Sequence, residues 1–226
     1  MIFSDSKPTS KDYAYRVSKH SQLRSSMRNT RRSISPKQQS QAAEKLLPRI
    51  LEQEDFNKAS NIVFYQAFDG EINPSLVMQA ALTQGKRCFL PLIGETRETL
   101  AFVEYKSGAT LTRNSFGILE PTLYPNDALA PEHMDMIFMP LVAFDLSGTR
   151  LGMGKGYYDK KLAFMLGNSR EKSLTSGKKP VLIGLAHECQ RVEQLERAEW
   201  DVPMDKIITD QTIYTISSTD PTTSSS

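Results

Sequence analysis

Apolar residues in this chain gather into short continuous runs, separated by stretches whose spacing is helical. Residues 62–65 (Ile-Val-Phe-Tyr) have the length and composition of a strand buried on both faces. Runs at 88–92, 100–105, 136–141 and 181–185 predict further strands, and Ile207-Ile208 a last short one. Between the runs the period changes. Ala42, Leu46 and Ile50, with Ala43, Leu47 and Leu51, keep an i, i+4 stripe. Ser35-Pro36-Lys37-Gln38 opens that helix, with Ser35 as N-cap, Pro36 at the first helical position and Gln38 as capping-box partner. Pro48 falls inside the stripe and predicts a kink or an early end. Asn73-Pro74 opens a second helix, striped by Leu76, Val77, Ala80 and Ala81 and closed by Gly85. Residues 158–166 read as another helix. Residues 19–32 read as a basic helix with little apolar face beyond Leu23 and Met27.

Strands alternating with helices predict an α/β protein: one three-layer α/β/α domain, Rossmann-like, with a mostly parallel central sheet over residues 19–214. Residues 1–18 read as a loose polar extension, 167–179 as a surface loop, and 215–226 as a disordered Ser/Thr tail. With 39% hydrophobic and 24% charged residues, the 226-residue chain has ordinary globular composition. A net charge of +2 decides nothing about nucleic acid, although basic residues concentrate between Lys19 and Lys37. Cys88 and Cys189 sit in or beside apolar runs and read as buried free thiols, and no cluster has metal-ligand spacing. No run reaches the ~20 apolar residues of a membrane helix, and the first residues lack a secretory layout. The expectation is a cytoplasmic monomer with neither membrane nor nucleic-acid partner.

The sharpest chemical feature is Phe144-Asp145-Leu146-Ser147-Gly148-Thr149-Arg150-Leu151-Gly152-Met153-Gly154-Lys155-Gly156-Tyr157-Tyr158-Asp159. It follows a buried strand and precedes a helix, the junction where open α/β sheets bind ligands. Gly152, Gly154 and Gly156 remove Cβ atoms, so that backbone N–H groups can close on phosphate oxygens. The next helix adds its dipole, and Lys155 and Arg150 add charge and bidentate donors. A plain turn is the bland reading of such a loop; the interleaved cations favour phosphate. The spacing fits neither standard nucleotide fingerprint.

This block, from Pro140 onward, resembles the signature of the 5-formyltetrahydrofolate cyclo-ligase family. The likeness continues in Leu23-Arg24, Arg31-Arg32, Ser35-Pro36, Phe68-Asp69-Gly70-Glu71, Phe116-Gly117-Ile118-Leu119-Glu120-Pro121, Gly184-Leu185-Ala186, Gln190 and Trp200-Asp201-Val202-Pro203. It runs in the family's order from about residue 19 to about 210. The resemblance implies an ATP- and Mg2+-dependent enzyme that closes 5-formyltetrahydrofolate to 5,10-methenyltetrahydrofolate. The formyl oxygen takes the γ-phosphoryl group, N10 attacks the formyl carbon, and ADP and phosphate leave. It implies catalytic roles for Arg150, Lys155 and Tyr157, and nucleotide contacts from Arg24 and from Arg150, Leu151, Gly152, Met153, Gly154, Lys155, Gly156, Tyr157 and Tyr158. Folate contacts fall to Gln66 and Glu71 and to Met153, Gly154, Lys155, Gly156 and Tyr157, and magnesium to Asp159 and Asp201.

Bland alternatives stand beside these roles: a dipole-stabilised first-turn carboxylate for Asp159, an ordinary loop residue for Asp201, a polar strand end for Gln66, and a core or rim ring for Tyr157. Two positions depart from the family. Its cation four residues before Arg24 is His20 here, with Lys19 adjacent, so either side chain is a candidate for the nucleotide. Lys160 stands where many members have arginine, which keeps charge but loses the fork geometry. Arg28, Arg31 and Arg32 individually read as a solvated face, and His133 and His187 as structural. Two other functions fit parts of the pattern: a nucleic-acid binder using the basic helix, and a phosphate-handling enzyme without ATP, such as a sugar-phosphate isomerase or CoA-transferase relative.

Overall fold

In the computed structural model the described residues are 10–93, 99–115, 117–121, 128–166 and 179–216, with side chains from residue 16 onward. Phe116, most of the 167–179 segment and the tail from 217 lie outside them, as do residues 1–9.

The chain opens on a long helix, α1 (Ser10–Arg32), which starts nine residues before the expected position. Its residues are nearly all polar or charged, yet Leu23 and Met27 lie four apart and pack together on Ala143, Leu151 and Leu195. The second helix, α2 (Pro36–Leu51), has the expected capping box: Gln38 N–H donates to Ser35 Oγ, and Ser35 N–H donates to Gln38 Oε1 at 3.0 Å. It runs through Pro48 for three more residues, because Leu46 and Ile50 on either side are fully buried and hold the last turn in place. A short helix, α3 (Glu54–Lys58), buries Phe56 before β1 (Asn61–Val63). Helix α4 (Ser75–Thr83) ends on Gly85, whose φ of 75° lets Lys86 N–H reach back to Ala81 O at 3.0 Å.

Strands β2 (Arg87–Ile93) and β3 (Leu100–Tyr105) form an antiparallel pair. The short strands β4 (Leu111–Arg113) and β5 (Leu119–Pro121) make a separate ribbon, and β6 (Ala128–Leu129) pairs with β3. Then come β7 (Met136–Pro140), the small hairpin of β8 (Ala143–Phe144) and β9 (Arg150–Leu151), and α5 (Tyr157–Leu162). A 3-10 turn over Ala163–Leu166 replaces the second half of the helix expected at 158–166. Strands β10 (Val181–Ala186), β11 (Lys206–Thr209) and β12 (Ile213–Thr215) complete the set.

The main sheet has the order β12-β11-β10-β7-β1-β2-β3-β6. Its five central strands, β11-β10-β7-β1-β2, are parallel, and β12, β3 and β6 add antiparallel edges. The core follows the two-residue strand period. Ile62, Met136 and Phe138 face α2, α3 and α4, whereas Val63, Ile137 and Met139 face Leu162 of α5 and Val202 and Met204. This is the α/β class expected, with one face covered by three helices and the other by α5 and irregular segments. Helix α1 instead lies at the carboxyl ends of the parallel strands, against β8 and the turn after β10. No helix of the described residues is long and apolar enough to cross a membrane. Cys88 is buried as expected, but Cys189 is exposed because it lies past the carboxyl end of β10; both are free.

The β8–β9 hairpin is the element that sequence periodicity does not reveal, and it starts the glycine-rich loop. Its turn is built on Asp145, 2% exposed, whose Oδ1 accepts from Ser147 N–H at 3.0 Å, Ser147 Oγ–H at 2.7 Å and Thr149 N–H at 3.2 Å. Gly148 closes it at φ 80°, where an added Cβ would lie 2.7 Å from Met204 O and 3.1 Å from an Ile216 methyl. Gly148→Ala therefore carries both left-handed backbone strain and a backbone clash, and is expected to lose roughly 2–3 kcal/mol of stability. Thermal melting checks this: the variant should melt ~5–10 °C below the parent.

Candidate active site

The site is built on how α1 meets the first turn after β1. Asp69 has φ 55°, a strained value for a residue with a Cβ, and three arginines of α1 hold it there. Arg28 Nε donates to Oδ2 at 2.7 Å, Arg31 Nη2 to Oδ2 at 3.0 Å, and Arg32 Nε to Oδ1. Arg31 is 0% exposed; its Nε donates to Asp69 O at 2.7 Å and its Nη1 to Leu141 O at 3.1 Å. Arg31 is therefore no solvated residue, whereas Arg28 is half-buried and Arg32 keeps half of its side chain in solvent. A bidentate guanidinium satisfied on all sides is the form in which arginine tolerates burial. Burial pushes the Asp69 carboxyl up, but hydrogen bonds from Arg28 and Arg32 and the charge of Arg31 outweigh it and hold the group below its usual range.

The same helix carries Arg24 to the glycine-rich loop, where its Nε donates to Gly152 O at 2.8 Å. Gly154, at φ 95°, has the Arg24 guanidinium 3.5 Å from where a Cβ would stand. Together they border a cavity of about 640 Å3. Of the loop, Arg150, Leu151, Gly152, Gly154, Lys155 and Gly156 line it; α1 adds Arg16, Val17, His20 and Arg24, and the far wall adds Asp159, Trp200 and Asp201. The far wall is tied to the loop, because Leu195 N–H donates to Asp145 Oδ2 at 2.7 Å and Val192 N–H to Phe144 O at 2.9 Å.

Within this frame the expected residues divide. Lys155 is exposed to the cavity and has no ion pair among the described residues, as a phosphate-binding cation requires. Of the two candidates before Arg24, His20 lines the cavity, whereas Lys19 is outside the lining and pairs at 3.4 Å with Glu196, which is part of it. Burial, then the neighbouring cations Arg24 and Arg16, keep the His20 imidazole below its ordinary pKa. Burial also lowers the Arg24 guanidinium.

Arg150 sits differently from a free phosphate clamp. Its side chain is nearly buried, with Nη1 donating to Val202 O and Nη2 to Asp159 Oδ1, both at 2.5 Å. The pair braces β9 against the start of α5 across the loop. Asp159 Oδ1 also accepts from Val202 N–H at 3.2 Å, and Asp201 Oδ2 accepts from Ala198 N–H at 2.8 Å. The described hydrogen bonds thus use one oxygen of each carboxylate. Both residues line the same cavity, and two hard carboxylates there suit a magnesium ion, which keeps water and phosphate oxygens as its other ligands. The helix expected to point its dipole at the loop has only six residues and starts on Gly156 at φ 66° without a side-chain cap, so the dipole contribution is small.

Met153, Tyr157, Tyr158, Gln66 and Glu71 are outside the cavity wall. Met153 is exposed, and Tyr157 and Tyr158 pack partly against the core beneath α5. Gln66 is half-buried just past β1. Glu71 is largely buried beside the Asp69 turn, where its Oε2 accepts from Phe68 N–H at 3.1 Å and its Oε1 lies 3.6 Å from Arg31 Nη2. Burial pushes its carboxyl up to about 7, against the pull of Arg31. It lies within electrostatic reach of Tyr158, whose hydroxyl is buried without a partner among the described residues and whose ionisation is suppressed by burial and by Glu71. Glu71 and Tyr158 thus form a second polar locus outside the cavity lining. Sequence reading passed over Arg16, Val17 and Trp200 as lining residues; the i, i+3, i+7 spacing of Val17, His20 and Arg24 was the available signal.

Comparison with known proteins places these features in context. The model of the 5-formyltetrahydrofolate cyclo-ligase family matches residues 16–210. The chain is 37% identical over 191 residues to a 5-formyltetrahydrofolate cyclo-ligase of Haemophilus influenzae, covering 84% of this chain and 97% of that one. It is 31% identical to the Escherichia coli K12 protein of that name, covering 83% and 98%. The NMR structure of Aquifex aeolicus 5,10-methenyltetrahydrofolate synthetase superposes with a TM-score of 0.72 at 29% identity, covering 87% of this chain and 92% of that one. A Mycoplasma pneumoniae 5,10-methenyltetrahydrofolate synthetase shares the fold with a TM-score of 0.62 at 22% identity, covering 85% and 99%.

The Glu71 environment sets a pH dependence. A carboxyl whose folded-state pKa is raised to about 7 adds stability below its unfolded value and loses it as pH rises through the folded one. Glu71→Gln, which keeps the acceptor for Phe68 N–H, should melt higher than the parent at about pH 8, and the gap should close toward about pH 4.5. Paired thermal melts across that range test it; a gap that widens on acidification contradicts the assignment.

Proposed function

The chain belongs to the 5-formyltetrahydrofolate cyclo-ligase family, and from that premise we propose that it cyclises 5-formyltetrahydrofolate to 5,10-methenyltetrahydrofolate with cleavage of ATP. One observation carries the nucleotide half of this reading: a glycine-lined loop, the unpaired Lys155, Arg24 and two carboxylates share one cavity. The cost of closing a ring onto a formyl carbon is that its oxygen is a poor leaving group. Phosphorylation of that oxygen by ATP, with release of ADP, makes it a good one; N10 then attacks the carbon, and phosphate and the N10 proton depart.

The work assigned to the protein is positioning and charge stabilisation. Gly152, Gly154 and Gly156 line the cavity without side chains of their own, which suits their backbone N–H groups to phosphate, and Lys155 and Arg24 meet the charge that develops on its oxygens. Arg150 acts one step back, holding Asp159 and the 202 segment in place, rather than as a direct clamp. Magnesium bound between Asp159 and Asp201 would neutralise part of the phosphate charge. His20, at the position of the family's cation, offers a ring N–H to the same phosphates. Gln66, Glu71, Tyr157 and Tyr158 are assigned to the folate side of the loop. With its pKa near 7, Glu71 can accept from a pterin N–H when ionised and donate when protonated.

A nucleic-acid function loses its support, because the basic stretch is spent internally. Arg28, Arg31 and Arg32 converge on Asp69, Lys19 pairs with Glu196, and Arg24 turns into the cavity, so few of these cations are free for a nucleic-acid backbone.

The test is conversion of 5-formyltetrahydrofolate, followed by methenyl absorbance, with and without ATP and magnesium. No ATP-dependent product from the intact chain defeats the reading. Lys155→Ala should cut kcat/KM by about 100-fold or more with an unchanged melting temperature. Arg150→Ala, which strands the Asp159 carboxylate, should lower both activity and melting temperature.

A further inference from the structure

Trp200 has no role in the scheme above, yet it is the chain's sole tryptophan and lines the same cavity while 59% exposed. A single exposed aromatic ring is by itself ordinary; what marks Trp200 is its place in the wall of the cavity that the glycine-rich loop borders. The backbone beneath it is rigid. Ala198 N–H donates to Asp201 Oδ2 at 2.8 Å and Asp201 N–H to Ala198 O at 3.0 Å, closing the turn that carries the ring. Leu195, just before that turn, is anchored to Asp145 of the β8–β9 hairpin, so Trp200 and the glycine-rich loop share one frame.

Helix α1 measures the distance between them. Val17, His20 and Arg24 fall at spacings of three and four and therefore share one face, and all three line the cavity. Arg24 is on Gly152 O at the phosphate end. Val17, 48% exposed, lies seven residues earlier, ~10 Å along the axis at 1.5 Å per residue, a span comparable to a ribose with its first phosphates. At that far end Arg16 Cζ lies 5.5 Å from the centroid of the Trp200 ring, so the indole face already accepts a flat group.

We propose that Trp200, with Val17 on the opposing helix, forms a nucleobase subsite in which the indole stacks the purine ring of the nucleotide whose phosphates the glycine-rich loop receives. This rests on the ATP reading of the cavity and adds the part that holds the base. Stacking tolerates any flat π face, and Arg16 can share or yield the indole face as the base enters.

A single tryptophan makes the test direct. In the full-length protein, ATP should quench Trp200 fluorescence saturably. Inorganic tripolyphosphate, which has the phosphates but no base, should compete with ATP while leaving the emission unchanged. Trp200→Ala should raise KM for ATP by roughly 10-fold with little change in kcat, the factor equivalent to ~1.4 kcal/mol of base stacking. Trp200→Phe should recover most of that loss. If tripolyphosphate quenches as strongly as ATP, or Trp200→Ala leaves KM for ATP unchanged, the tryptophan is only an anchor for Arg16 and the subsite is refuted. The titration of the unmodified chain decides this even where a variant folds poorly. The two readings fail separately: conversion without any need for ATP removes both, whereas ATP-dependent conversion with a silent Trp200 removes the subsite alone.

Discussion

The Asp69 carboxylate is the point on which α1 depends. A helix with so few apolar side chains has little hydrophobic reason to dock, beyond Leu23 and Met27. Charge does what burial cannot: three guanidiniums converge on one carboxylate, and the most buried of them, Arg31, also takes the carbonyls of Asp69 and Leu141. Such a cluster is stable only while every member is present, since a buried ion without its partners costs several kcal/mol. Gly70 shows how close the packing is, because a Cβ there would be 2.9 Å from Arg31 O. With α1 fixed in this way, Arg24 reaches the loop, His20 and Val17 line the cavity wall, and Glu71 lies beside Arg31. Without it, the carboxyl end of the sheet would have a glycine-rich loop but no enclosing wall.

A second brace runs through Arg150 and Asp159. Both residues are natural choices for phosphate and metal when read as letters in a motif, and each makes a strong contact with the other. The arginine is thereby a positioning group for the loop ends, and the carboxylate brings one engaged oxygen to any ion it helps to hold. Lys155, Arg24, Lys160 and Arg16 remain as further cations along the cavity wall. The brace also explains how a loop rich in glycine keeps a defined shape: its flexible centre is clamped at both ends, by the Asp145 turn before it and by the Arg150–Asp159 pair across it.

Much of this architecture was legible in the chain, for identifiable physical reasons. The central strands announce themselves because strands buried on both faces are continuously apolar, and Ser35-Pro36-Lys37-Gln38 and Gly85 encode their caps locally. The edge elements β4, β5, β6 and β12 were not legible, since two or three residues paired at a rim need no apolar signature. The hairpin before the glycine-rich loop was hidden inside a motif that reads equally well as one continuous loop. The arginines of α1 were misread for a related cause: a basic run looks the same whether it meets solvent or a single distant aspartate, and only tertiary structure brings residue 69 to residues 28–32. Glu71 was found by motif, but its separation from the cavity behind Tyr158 was not encoded in any spacing.

Because one continuous helix serves both ends of the site, its phase is as constrained as its composition. Arg24 and Arg31 are seven residues apart, nearly two full turns, so both address the same side of the protein. Inserting or deleting a single residue between them would rotate one arginine about 100° relative to the other and shift it ~1.5 Å along the axis. One partner or the other would then be lost. The segment between these arginines is therefore free to drift in identity at its solvent-facing positions but not in length, a reading-frame-like constraint that geometry adds to the contacts of Met27 and Arg28 within it.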